Sequence, residues 1–174
     1  MALVVFLRGV NVGGHRTFRP AALAKAMEHL GAINIGAAGT FVISKPVTRT
    51  RLRAELAKRL PFETVVAICD GRDILQLMAR RPFGPKPPAP GAVRFVSVVV
   101  GSTRGVPSRP IRLPEHGQWL VRVIGRHKQF ILGEYRRHMK TIGYLGTLDK
   151  SFRGRVTTRN WNTIGLIAKA LTTR

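Results

Sequence analysis

Apolar residues recur along this chain in two spacings, and the switch between them sets out the elements. Ala2 to Leu7 is a continuous apolar, β-branched run that predicts a buried first strand, ended by the glycine-rich turn Gly9 to Gly14. Pro20 suits a first helical turn, Leu23, Met27 and Leu30 follow at helical spacing, and Gly31 is the stop. Ile33 to Ile35 and Phe41 to Ile43 read as short strands around Gly36 and Gly39. A helix from Thr48 then places Leu52, Leu56 and Leu60 on one face, and Thr64 to Ile68 is another strand. The order β-α-β-β-α-β is the split pattern of a ferredoxin-like unit.

A short helix, Asp73 to Arg80, precedes a proline-dense run from Arg80 to Gly91, which reads as a semi-rigid connector. Beyond it, Val93 to Val100, Trp119 to Ile124 and His127 to Leu132 predict strands, the last two joined as a hairpin through Gly125 and Arg126. Gly101 to Gly117 is a loop broken by Pro and Gly. Asp149 to Arg153 suggests a short helix, and Ile164 to Leu171 lies in a final one. The fold class expected is α+β, a ferredoxin-like unit followed by a smaller strand-rich α+β half. The domain reading is residues 1–81, a connector at 82–92, and residues 93–174 with the C-terminal helix, packed as one compact unit with the first.

Composition changes this picture in one respect. The 174 residues hold 30 Lys and Arg against 8 Asp and Glu, a formal net charge of +22. Residues 1–87 carry 14 basic and 5 acidic side chains and residues 88–174 carry 16 and 3, so the halves stand at +9 and +13. Folding does not require such an excess, and self-repulsion of this size is usually offset by a polyanion or an anionic surface, the alternative being a merely soluble basic surface. Nucleic acid or another polyanion is therefore the expected partner. The candidate contacts are Arg49, Arg53, Arg136, Arg137, Lys140, Arg153 and Arg155. No apolar run reaches the length of a membrane span or a signal peptide, so a cytoplasmic protein without a membrane partner is expected. The single Cys69 lies in an apolar run and reads as a buried thiol. The oligomeric state is left open.

Two segments hold polar residues beside glycines or a helix start: Leu7-Arg8-Gly9-Val10-Asn11-Val12-Gly13-Gly14 and Thr157-Thr158-Arg159-Asn160-Trp161-Asn162-Thr163. Together they resemble the bacterial family called domain of unknown function 1697. Its members open on Leu-Arg-Gly-(Ile/Val)-Asn-Val-Gly-Gly and end on Thr-Thr-Arg-Asn-Trp-Asn-Thr. The resemblance runs over essentially the whole chain. It implies an α+β architecture with a ferredoxin-like part, and no known activity. Where the family carries a polar Tyr-Ile-Gln-Ser-Gly-Asn-like segment, this chain has Ile35-Gly36-Ala37-Ala38-Gly39-Thr40, which keeps the glycine and loses most of the polar groups.

The glycines of the first motif free the backbone to approach a phosphate or carboxylate, or serve only as a tight β-to-α turn. It is neither a Rossmann fingerprint nor a P-loop. In the second, Thr158 or Asn160 is expected to cap the final helix, with Arg159 adding charge and Trp161 either stacking on a base or anchoring the core. The ligand-binding candidates are Arg8, Gly9, Asn11, Gly13, Gly14, Arg159, Asn160, Trp161 and Asn162, drawn together as one polar pocket. A small-molecule binder or enzyme acting there on an anionic ligand is the alternative to the nucleic-acid reading. No catalytic residue, metal site or cofactor is expected. Neither motif contains an acid, only His15 is near, and Glu134 and His138, four apart, read as an ordinary pair on one helical face. Aligned on the third-strand signature of RNA recognition motifs with Phe41 at its central aromatic, the chain offers Ala37, Ala38 and Gly39 where a base, a glycine and a stacking ring belong. Base stacking on that sheet is not expected.

Overall fold

The computed structural model describes residues 1–11, 14, 17–103, 110–153 and 155–173. The chain divides into two units, Met1–Ala79 with Thr163–Arg174, and Arg80–Asn162.

In the first unit, strands β1 (Leu3–Leu7), β2 (Ala32–Asn34), β3 (Thr40–Ile43) and β4 (Val66–Asp70) alternate with helices α1 (Pro20–Ala26), α2 (Arg49–Arg59) and α3 (Gly71–Ala79). The sheet runs β2-β3-β1-β4 with every neighbouring pair antiparallel, which is the ferredoxin-like order expected. All five residues of β1 are buried, which explains why its sequence shows no polar alternation. Leu3, Val5 and Leu7 join Leu23, Met27, Leu52 and Leu56 in one core, so α1 and α2 cover that face of the sheet. Pro20 opens α1, and a 3-10 turn over Glu28–Leu30 extends it to Gly31, which adopts φ 64°. Thr48 caps α2 by accepting from the Arg51 amide at 3.2 Å.

Gly39 holds the β2–β3 connection against β1. Its φ is 69°, a Cβ there would lie 2.6 Å from Val10 Cγ2, and its carbonyl accepts from the Leu7 amide at 2.8 Å. Retention of this glycine in the otherwise altered Ile35–Thr40 segment thus has a steric cause.

In the second unit, β5 (Ala92–Val99), β6 (Ile111–Leu113), β7 (Val121–His127), β8 (Phe130–Arg136) and β9 (Val156–Asn160) form an antiparallel sheet in the order β6-β7-β8-β5-β9. Its core is built from Phe95, Val121, Ile131, Leu148, Phe152 and Val156, the Leu148 and Phe152 side chains coming from the end of helix α4 (Thr141–Ser151).

The second unit departs from the sequence reading in several places. His127 pairs with Phe130, so the β7–β8 hairpin turns at Lys128 and Gln129, with Lys128 at φ 51°, and not at Gly125 and Arg126. Gly125 lies inside β7 beside a bulge between Val123 and Gly125, the other common role of a strand glycine. The segment read as loop contains β6, and α4 extends well N-terminal of the Asp149 to Arg153 helix expected. Glu134 lies on a strand and His138 beyond its end, so they do not share a helical face. The sequence reading places the last helix, α5 (Trp161–Thr172), in the second half. From Thr163 onward it groups with the first unit, where Leu171 sits so close to Gly71 that a Cβ there would be 2.7 Å from Leu171 Cδ2.

Candidate functional site

The first motif builds the turn after β1. The Arg8 amide donates to the Val65 carbonyl at 3.0 Å and the Arg8 carbonyl accepts from Thr64 Oγ1 at 2.6 Å, which ties the end of β1 to the chain entering β4. Gly9 and Asn11 both adopt left-handed backbone, with φ 61° and 54°. Asn11 Nδ2 donates to the Ala37 carbonyl and Asn11 Oδ1 accepts from the Phe18 amide, each at 2.9 Å. This asparagine therefore closes its own loop and joins it to the β2–β3 connection. Gly14 is exposed at φ 75° with open space around it, and Gly13 lies outside the described residues.

The second motif is mostly strand. Thr158 does not cap the final helix. It stands opposite Ser97, their hydroxyl oxygens 2.6 Å apart. Asn160 ends β9, and α5 begins at Trp161. Arg159 is buried at 7% exposure and donates to Thr157 Oγ1 at 3.0 Å and to the Thr158 carbonyl at 2.8 Å. Burial lowers its pKa below the usual arginine range, to about 10.

The sign of that shift sets a pH prediction. Below about 10 the guanidinium is protonated in both the folded and unfolded chain, and the cost of burying the charge, about 3 kcal/mol, is fully present. Between the folded and unfolded pKa the unfolded chain binds more proton, so folded stability rises with pH. The difference in unfolding free energy between wild type and Arg159→Gln is expected to be flat below about pH 9 and to move in favour of wild type above about pH 10. Chemical denaturation across that range checks it, and a pH-independent difference contradicts it.

Arg8 and Asn11 belong to the first unit and Arg159, Asn160 and Asn162 to the second. Within the second unit, Asn160, Trp161 and Asn162 line a cleft of about 290 Å³ with Arg94, Arg137 and Pro88. Trp161 meets Phe83 edge-on, with ring centroids 5.0 Å apart. The Arg94 guanidinium lies 5.0 Å from the same Phe83 ring and donates to Glu134 Oε1 at 3.3 Å and to the Lys86 carbonyl.

Arg94 leads to a row that sequence reasoning missed. Strand pairing sets Arg112 opposite Arg122, Arg122 opposite Glu134, and Glu134 opposite Arg94. Glu134 is buried and accepts from Arg94 on one oxygen and from Arg122 on the other, at 2.6 Å from Arg122 Nη2. Trp119 stacks with both Arg122 and Arg136, each guanidinium 4.3 Å from its ring centroid. The available signal was alternation, since Arg94 and Arg122 each flank residues of the core.

The proposed polyanion contacts differ in availability. Arg49 pairs with Asp70 at 3.1 Å, Arg53 donates to the Val66 carbonyl at 2.8 Å, and Arg136 donates to the Pro90 carbonyl at 2.9 Å. Arg137, Lys140, Arg153 and Arg155 are exposed. In the first unit, Arg53 lines a cleft of about 550 Å³ with Leu60 and Phe62, and Arg49 and Arg51 line one of about 540 Å³ with Val47 and Asp70. Among the described residues there is no group of three His, Cys, Asp or Glu that would hold a metal ion, and no helix long and apolar enough to cross a membrane.

The model of a family described as protein of unknown function, DUF1697, matches residues 1–104, a span that includes the first motif and ends before the second. No curated protein matches the sequence. Among solved structures, the conserved bacterial protein SP0830 from Streptococcus pneumoniae is similar over 98% of this chain and 98% of its own, with a TM-score of 0.62 and 14% sequence identity. At that identity the likeness is one of fold.

Proposed function

This chain belongs to the DUF1697 family of proteins of unknown function, and from that premise we propose that it is a basic binding protein that engages nucleic acid, largely without sequence preference, through distributed Arg and Lys side chains. The observation that carries this reading is the charge. Eight carboxylates can neutralise at most eight of thirty cations, so a net +22 has to be compensated from outside the chain. The intramolecular pairs sharpen it, because Asp70, Glu55 and Glu134 are already engaged by Arg49, Arg59, Arg94 and Arg122. Arg137, Lys140, Arg153 and Arg155 remain exposed on the second unit.

Phosphates, and not bases, are the group this surface suits. The third strand of the ferredoxin-like sheet buries all four of its residues and sends Phe41 into the core, so it offers no aromatic platform for stacking.

Binding of short fluorescent DNA and RNA is therefore expected at low salt, with little difference between sequences. For about six phosphate contacts, affinity should fall by roughly a thousandfold between about 50 and about 200 mM salt. Replacing Arg153 or Arg155 by Gln should weaken binding evenly across sequences and reduce the salt slope by about one per lost contact. Absence of binding to either nucleic acid at low salt would remove the reading.

A further inference from the structure

The cleft lined by Arg94, Arg137, Asn160, Trp161 and Asn162 differs in kind from a flat basic surface. Its inner wall is held in place. Trp161 leans on Phe83, and Arg94 lies against that same ring with its guanidinium tied to Glu134 and to the Lys86 carbonyl. A ligand meeting this wall has little side-chain freedom left to freeze, which favours binding. The rim carries Arg137, an exposed cation whose backbone amide is anchored on the Gly91 carbonyl at 3.4 Å. Asn160 and Asn162, both exposed, add two primary amides.

Each group has a distinct chemistry. A guanidinium matches the oxygens of a phosphate. A primary amide both donates and accepts, as the edge of a nucleobase requires. An indole offers a flat apolar surface to the base itself. A carboxylate or an inorganic anion would use only the first of these. The volume, about 290 Å³, lies just under the range of ligand pockets, which begins at about 300 Å³, and suits one small ligand and not a chain of them.

We propose that this cleft seats a single nucleotide, with its phosphate on Arg137 and its base against Trp161 and the Asn160 and Asn162 amides. The proposal deepens the nucleic-acid reading and rests on it for the source of the nucleotide, while the cleft's chemistry is shared by a free mononucleotide and by one nucleotide of a strand.

The chain contains two tryptophans, so Trp119→Phe leaves Trp161 as its sole fluorophore. In that background, adenosine monophosphate or a short single-stranded oligoadenylate is expected to change Trp161 emission saturably, the mononucleotide response with a salt dependence far shallower than that of the surface contacts. A response to the mononucleotide assigns the seat to free nucleotide, and a response to the oligonucleotide alone assigns it to a strand. Arg137→Gln and Asn162→Ala, both at exposed positions, should each raise the dissociation constant about tenfold, or about 1.4 kcal/mol. Adenosine and inorganic phosphate, each offering half of the ligand, should bind at least about tenfold more weakly.

Trp161 emission unmoved by either probe, or unchanged binding by both variants, overturns the proposal. If oligonucleotides meanwhile bind with a steep salt slope by anisotropy, the surface reading stands and only the cleft fails. If oligonucleotides do not bind at low salt, the surface reading fails, and the mononucleotide titration decides the cleft separately.

Discussion

Gly133→Ala is expected to lower the unfolding free energy by about 3 kcal/mol or more. Gly133 sits in the middle of β8, paired with Phe95 of β5 on one side and Val123 of β7 on the other. A Cβ there would lie 2.3 Å from Phe95 Cζ and 2.4 Å from the Arg122 carbonyl oxygen. Phe95 has no exposed surface and packs near Tyr135, with ring centroids 6.1 Å apart, so its ring can move only by displacing its neighbours. The Arg122 carbonyl is backbone next to the β7 bulge, and shifting it disturbs the pairing that holds β6 as well. The strain therefore falls on two groups that cannot yield cheaply. Urea denaturation should show the midpoint lowered by roughly 1 to 3 M at an unchanged slope. Gly125→Ala is the matched control, because nothing lies within 4 Å of a Cβ at that position. It should cost no more than about 1 kcal/mol. Equal stability of the two variants would show that the close approach at Gly133 is not a constraint.

Glu134→Gln is the second large effect, a loss of about 3 kcal/mol. The substitution keeps the side chain's shape and removes the one carboxylate that two guanidiniums share. Arg94, whose side chain is 16% exposed, is then left as a largely covered cation without its counter-charge and contributes most of the cost. Arg122, at 38%, can turn to water, so its share is small. The cycle that tests this combines Glu134→Leu with Arg94→Met. Because the pair is lost together, the double variant should be destabilised by at least about 1 kcal/mol less than the sum of the two single variants. Strict additivity would mean that Arg94 and Glu134 do not depend on each other for stability.

These two sites show where legibility in the sequence stops. The first unit was readable from local pattern, since β1 is an unbroken apolar run and Leu52 and Leu56 recur at helical spacing on α2. Both signals arise within a few residues, and the β-α-β-β-α-β order that follows from them admits few topologies. In the second unit the same local rules misled. Gly125 has the composition of a turn, yet pairing with β8 makes it part of a bulge, and the turn falls on Lys128 and Gln129, which carry no turn signal. Helix α4 buries only Thr141 and Leu148 and contains Gly143 and Gly146, so neither periodicity nor propensity marks its extent. The Thr157 to Asn160 segment is polar enough to look like a cap, but its place beside β5 makes it a strand that buries Thr157 and Arg159 while exposing Thr158 and Asn160.

The candidate site divides in the same way. Asn160, Trp161 and Asn162 stood out as a motif, whereas Arg94, which lines their cleft, and Phe83, on which Trp161 packs, are more than sixty residues away in sequence, and Arg94 joins them because its neighbour Phe95 pairs with Asn160. Asn11 stood out equally, and its amide proves to be used in holding its own loop.

The sequence by itself determined the ferredoxin-like order of the first unit and the net charge of +22, the one because it follows from short-range periodicity, the other because it is a sum over composition that no conformation alters. Only the tertiary structure decided which of those charges are committed. The positions of Arg94, Arg122 and Glu134 opposite one another, and the burial of Arg159, depend on the register of strands far apart in the chain, and a shift of one residue would turn each side chain to the other face of the sheet.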